Sequence, residues 1–200
     1  MTDWKMTGKP ALLFIHMQKA IVKEGSPLDG LGHSRATRES GIIPRQQALL
    51  KAFRDKGLPV VYVNAITPPD ARFPVYGKFW GFIGKTTVNV PGTRDVEVID
   101  ELAPQSGEPL FYNWPFGIFE GNDLEKYLKD QGIDTLVLSG VATGMAVGTA
   151  VFACADRFYN LIVPEDASTD ADQDLHDIVF KTMIPAIALV TTTEDVIDHL

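Results

Sequence analysis

A chain of 200 residues, 45% hydrophobic and 22% charged, has enough apolar mass for one substantial core and too little length for two ordinary domains, so a single domain over 1–200 is expected. Its formal net charge of -8 argues against nucleic acid, which calls for clustered Lys and Arg, and no apolar run approaches the roughly 20 residues of a bilayer crossing. The lone Cys154 excludes an intrachain disulfide and a cysteine-rich zinc site, and Asp3, Lys5 and Lys9 break any signal-peptide pattern, which makes cytoplasmic residence the expectation.

Short β-branched and apolar runs alternate with segments of helical period, the pattern of a parallel sheet covered by helices on both faces. Strands are predicted near 11–17, 59–65, 108–112, 135–139, 160–164 and 187–190, and helices over 43–56, 122–131, 143–157, 171–185 and 194–199. Gly57 and Gly132 close the first two helices, and the Thr193 hydroxyl is expected to cap the last. Between Thr67 and Gly107, Pro68, Pro69, Pro74, Pro91 and Pro104 interrupt every periodic pattern. That long connection holds Phe73, Tyr76, Phe79, Trp80 and Phe82, which suit either a ligand-covering loop or one tied to the body or to a subunit interface.

In open parallel sheets ligands bind beyond the carboxyl ends of the strands, where the strand order reverses. The residues to inspect are His16, Met17 and Gln18 after the first strand, Asn113, Trp114 and Pro115 after the third, and 140–146 after the fourth. The run from Gly140 to Ala146 has little side-chain bulk, so its amides suit an anion or a developing oxyanion at a helix N-terminus. Equally, Gly144, Ala146, Gly148 and Ala150 let a helix pack closely on the sheet. His16 ends an apolar strand; burial would keep it neutral near pH 7, fit to exchange a proton or to serve as a hydrogen-bonded structural group. His33, His176 and His199 are scattered and form no close-spaced ligand pair with it, so neither a metal nor another cofactor is expected. Asp166 and Asp170 flank a turn and are expected to be structural.

The segments from Ala11 to Gln18, from Asn113 to Phe119 followed by Gly121, from Gly132 to Thr143, and Glu165-Asp166-Ala167 appear in the order and at the intervals of a known family. The chain resembles the isochorismatase-like cysteine hydrolases over nearly its whole length. The resemblance implies an α/β, three-layer Rossmann-like fold with a six-stranded parallel sheet in strand order 3-2-1-4-5-6, and a homo-oligomer, dimer or tetramer. It also implies hydrolysis of a small amide or, in a minority of members, of the vinyl ether in isochorismate. In amide-cleaving members an Asp after the first strand is the base, a Lys after the third polarises, and a Cys opening the helix after the fourth is the nucleophile. The matching positions here hold His16, Asn113 and Ala146. Cys154 lies eight residues further on, ~12 Å along a helix, and reads as a core thiol.

The resemblance further implies a cis peptide before Ala142 and an oxyanion site built from the amides of Ala142 and Ala146. Two functional readings follow. In one, His16 performs Cys-independent acid–base chemistry on a planar or cyclic small molecule, Asn113 hydrogen-bonds the substrate, and Gln18, Tyr76, Trp80, Trp114 and Phe116 contact it. In the other, the protein is a pseudoenzyme that binds a small ligand or acts as a scaffold.

Overall fold

The computed structural model describes residues 4–68, 70–84, 89–114 and 116–200; Asp3, Pro69 and Pro115, all singled out in the sequence, lie outside them. Strand β1 (Pro10–Ile15) is buried along its whole length, as its unbroken apolar run requires of a central strand with both faces covered. Its side chains alternate: Ala11, Leu13 and Ile15 enter one core, Leu12 and Phe14 the other. Strands β2 (Val60–Ala65) and β4 (Thr135–Gly140) flank it in parallel. With β3 (Leu110–Asn113), β5 (Asn160–Pro164) and β6 (Leu189–Thr191) the sheet runs β3-β2-β1-β4-β5-β6, the expected order. The order reverses between β1 and β4, so a ligand site belongs beyond their carboxyl ends.

Helices α3 (Ile42–Asp55) and α8 (Thr193–Asp198) cover one face through Leu49, Phe53 and Val196. Helices α5 (Leu124–Asp130) and α6 (Gly148–Ala155) cover the other through Leu128, Val151 and Cys154. Among the described residues no helix is long and apolar enough to cross a membrane.

Several local expectations are corrected. The first strand stops at Ile15 because His16 turns into the left-handed region with φ 54°. The predicted helix over 143–157 begins as a π-helical turn, Thr143–Val147, before α6. The helix predicted over 171–185 is α7 (Gln173–Ile178), a second π-helical turn, Val179–Met183, and a 3-10 turn at Ile184–Ala186 containing Pro185. Thr192, not Thr193, caps α8, accepting from the Asp195 N–H, while the Thr193 hydroxyl donates to Asp166. Three helices were not expected: α1 (Lys19–Val22), α2 (His33–Ser40) and α4 (Lys78–Ile83). Helix α2 escapes pattern reading because the residues it buries are Ser34 and Thr37, leaving no apolar stripe. Helix α4 lies within the proline-broken connection and packs Ile83 against Ala20 and Leu28.

One glycine holds the switch point together. Gly140 has φ 155°, and a Cβ there would lie 2.1 Å from the Ile15 carbonyl oxygen. Only a residue without a side chain lets the end of β4 approach the residue preceding His16 this closely.

Candidate active site

His16 leaves β1 with its backbone N–H still donating to the Val63 carbonyl at 2.8 Å, which anchors the turn to β2. On the far side of β2, pairing of Ala65 with Asn113 brings the end of β3 level with that turn. The two side chains meet, His16 Nε2 lying 3.0 Å from Asn113 Oδ1, and both are buried. The Asn113 amide nitrogen donates to the Trp114 carbonyl at 2.7 Å, so its oxygen is the atom facing the ring. The ring must then donate through Nε2, and Nδ1 retains its lone pair. Burial lowers the His16 pKa to about 4, with the Asn113 hydrogen bond opposing the shift more weakly. At pH 7 the imidazole is therefore a neutral base of fixed tautomer.

A cavity of about 410 Å³ opens beside it, at the switch point. His16, Ala142 and Ala146 line it, together with His33 from α2, Phe79 and Phe82 from α4, and Phe116. The Val141–Ala142 peptide is cis. Among the described residues no acceptor meets the Ala142 N–H. The Ala146 N–H instead donates to the Ala142 carbonyl at 2.9 Å, which also accepts from Val147 at 3.0 Å. The expectation of two free amides is thus corrected: the π-helical turn consumes the one at Ala146. Asp170 satisfies a third amide of the same turn, accepting from Gly144 at 2.8 Å, a structural role as expected.

The remaining predicted contacts divide. Phe116 lines the cavity and packs on Phe79, centroids 5.1 Å apart. Trp80 belongs to the same aromatic cluster, 5.7 Å from Phe116, but stands behind the lining. Trp114 is 52% exposed and Tyr76 86% exposed, both outside the lining. Gln18 is also corrected. Its amide is spent on the Ala65 N–H at 2.7 Å, the Ala65 carbonyl at 3.1 Å and the Asn89 side chain at 2.9 Å, so it is a buried clasp between the ends of β1 and β2.

The sequence reading missed His33, Asn89 and Lys78, which all line the cavity. None carries a local signal, since His33 opens a polar helix and Asn89 and Lys78 lie in the proline-broken connection. Cys154 is fully buried in the core and burial pushes its thiol up to about 12, far from the reactive range. Among the described residues no group of three or more His, Cys, Asp or Glu is placed to hold a metal ion.

Sequence and structure comparisons find relatives over nearly the whole chain. Residues 10–195 match the isochorismatase domain. The phenazine biosynthesis protein PhzD of Pseudomonas fluorescens is 28% identical, over 98% of this chain and 89% of its own length. The maleamate amidohydrolase of Pseudomonas putida is 26% identical over 96% of this chain and 87% of its own. The crystal structure of a cysteine hydrolase from Pseudomonas syringae pv. phaseolicola superposes with a TM-score of 0.83 at 24% identity, covering 100% of this chain and 98% of the other. A parallel sheet reversing at β1 and β4 and a domain match over nearly the whole chain place this protein in the isochorismatase family of α/β hydrolases.

Proposed function

We propose that this isochorismatase-family hydrolase acts on a small planar or cyclic molecule by Cys-independent acid–base chemistry, with His16 as the proton-transfer group. The observation that carries the reading is the buried His16–Asn113 pair, which leaves one ring lone pair free at the edge of a cavity. Family resemblance puts His16, Asn113 and Ala146 where an acid, a cation and a thiol act in amide-cleaving members. Ala146 supplies no nucleophile and Cys154 is held protonated in the core, so the reading calls for water as the attacking group.

In this mechanism His16 Nδ1 takes a proton from the attacking water as its oxygen bonds to the substrate. Asn113 Oδ1 holds the tautomer and stabilises the imidazolium that forms. A folded-state pKa near 4 makes that imidazolium a strong acid, which returns its proton to the leaving group as the scissile bond breaks. In this reading the Ala142 N–H donates to the oxygen that gains charge. A small amide falls within this chemistry; a vinyl ether, as in isochorismate, instead takes a proton at its terminal carbon first, and water then adds to the carbon bonded to the ether oxygen.

The second reading, a ligand-binding pseudoenzyme, draws support from the mostly apolar lining and the loss of the Ala146 amide to the helix. One pair of measurements separates the two. Wild type and His16→Ala are compared for product formation from isochorismate and maleamate and for ligand-dependent thermal stabilisation. Turnover in wild type that falls about a hundredfold or more in the variant, with stabilisation retained, supports catalysis. Stabilisation without product in wild type supports the binder, and unchanged turnover in His16→Ala removes the acid–base role.

A further inference from the structure

The amide orientations at the carboxyl end of β2 follow one from another. Gln18 Oε1 accepts from the Ala65 N–H at 2.7 Å and Gln18 Nε2 donates to the Ala65 carbonyl at 3.1 Å, so the backbone fixes which end of the Gln18 carboxamide is nitrogen. The same Nε2 reaches Asn89 at 2.9 Å, and only an acceptor can meet it. Asn89 Oδ1 therefore faces Gln18, and Asn89 Nδ2 with its two N–H groups faces away from it.

That nitrogen is an unused donor. Asn89 is 6% exposed and lines the cavity, yet among the described residues nothing accepts from Nδ2, and the atom is not sealed inside the protein. A donor this deep is rarely left without a partner, and the space it opens on is the cavity. Its position is fixed as well. The Asn89 carbonyl accepts from the Thr67 N–H at 3.0 Å, and its φ of 56° is a left-handed turn that Asn tolerates. Backbone and side chain alike tie Asn89 to the end of β2, although it lies in the proline-broken connection.

We infer that Asn89 is a substrate-contacting residue, donating through Nδ2 to an uncharged acceptor oxygen, and that Gln18 is a positioning residue that keeps this donor turned to the cavity. The inference rests on the function proposed above, in which the Ala142 N–H serves the oxygen at the reacting bond; Asn89 then takes a second oxygen. The substrate class that fits is a planar ring carrying two carbonyl oxygens, as in a cyclic imide, with its faces against Phe79, Phe82 and Phe116.

The probes are phthalimide and isoindolin-1-one, which share one ring system and differ by a single carbonyl oxygen. Each is titrated into the full chain and followed by ¹H–¹⁵N NMR of the side-chain amides, the Asn89 signals being those lost in Asn89→Gly. Phthalimide should bind wild type about fivefold more tightly and shift the Asn89 signals, as one added hydrogen bond requires. Asn89→Asp keeps an acceptor for Gln18 but turns a second acceptor to the cavity, and should reverse the preference. Asn89→Gly, which suits the left-handed backbone, should erase it and serves alone if the Asp variant does not fold. Gln18→Leu leaves the Asn89 amide free to turn over and should reduce the preference to about twofold or less, whereas a merely structural Gln18 would leave it whole. Failure of both probes to bind, equal affinities in wild type, or a preference that survives in Asn89→Gly overturns the role of Asn89. A preference untouched in Gln18→Leu overturns the positioning role. Probe affinity reads substrate contact, whereas turnover in His16→Ala reads the acid–base chemistry, so either can fail alone.

Discussion

The cavity is built from two unlike regions. On one side His16 and Asn113 stand at the ends of sheet strands, buried, with their polar atoms committed to each other, to Val63 or to Trp114, apart from the ring lone pair. On the other, α4 covers the same space with the rings of Phe79 and Phe82, and of α4 itself only Ile83 is buried. Strand ends hold atoms where a proton must move, because sheet hydrogen bonds on both sides define their position. A thinly anchored cover adapts its shape and selects what enters. Under the proposed function the scaffold carries the chemistry and the cover the selection, and substitutions on the two sides should fail in different ways.

The largest effect is expected at His16, where His16→Ala should lower kcat by about 10²- to 10⁴-fold on a responsive substrate. His16→Asn, which tolerates the left-handed backbone, should do the same. A loss confined to KM, measured in steady-state assays, would move the chemistry away from the strand ends. The same ring should make the fold acid-sensitive. Its folded pKa of about 4 lies below the unfolded 6.5, so between those values the unfolded chain binds the extra proton. The stability it contributes is complete above about pH 6.5 and is lost as pH falls through 4, a change on the order of 3 kcal/mol. Urea titrations of wild type and His16→Asn at pH 7, 5.5 and 4 test this, the variant showing the smaller decline. For turnover, the acidic limb of kcat/KM should have its midpoint near 4 instead of near neutrality.

Gln18→Leu should cost about 1–3 kcal/mol by stranding the Ala65 amide and carbonyl, with kcat within about twofold of wild type. A fall in kcat matching that at His16 would return Gln18 to the site. On the cover, Phe82→Ala should raise KM about fivefold through lost apolar contact while kcat stays nearly constant. An equal drop in kcat would dissolve the division of labour. The smallest response belongs to Cys154: iodoacetamide should label it only after unfolding, and Cys154→Ala should keep full activity. Rapid labelling of the native protein would reopen a covalent route.

Residues whose burial repeats along the chain were legible in advance. The run from Ala11 to Ile15 announced a central strand, and the punctuation at Gly57 and Gly132 marked real turns, both with positive φ. Among the elements that escaped, α2 buries only the polar Ser34 and Thr37, α4 only the single Ile83, and α1 is a single four-residue turn, too short to show a period. In the site, sequence position identified His16, Asn113, Ala142, Ala146 and Phe116 as residues near the switch point. It misplaced Gln18, Tyr76, Trp80 and Trp114, because location after a strand or in an aromatic loop does not say which way a side chain faces.

By itself, then, the sequence determined a parallel α/β sheet, its central strand and a histidine at that strand's end, because apolar periodicity and turn residues act over a few neighbours at a time. Tertiary structure alone decided that His16 meets Asn113 across 97 positions, that the Ala146 amide is spent within its own helix, and that His33 and Lys78 face the same cavity. Those outcomes depend on how crossover connections pack against the sheet, and no local pattern of residues encodes the meeting of groups so far apart in the chain.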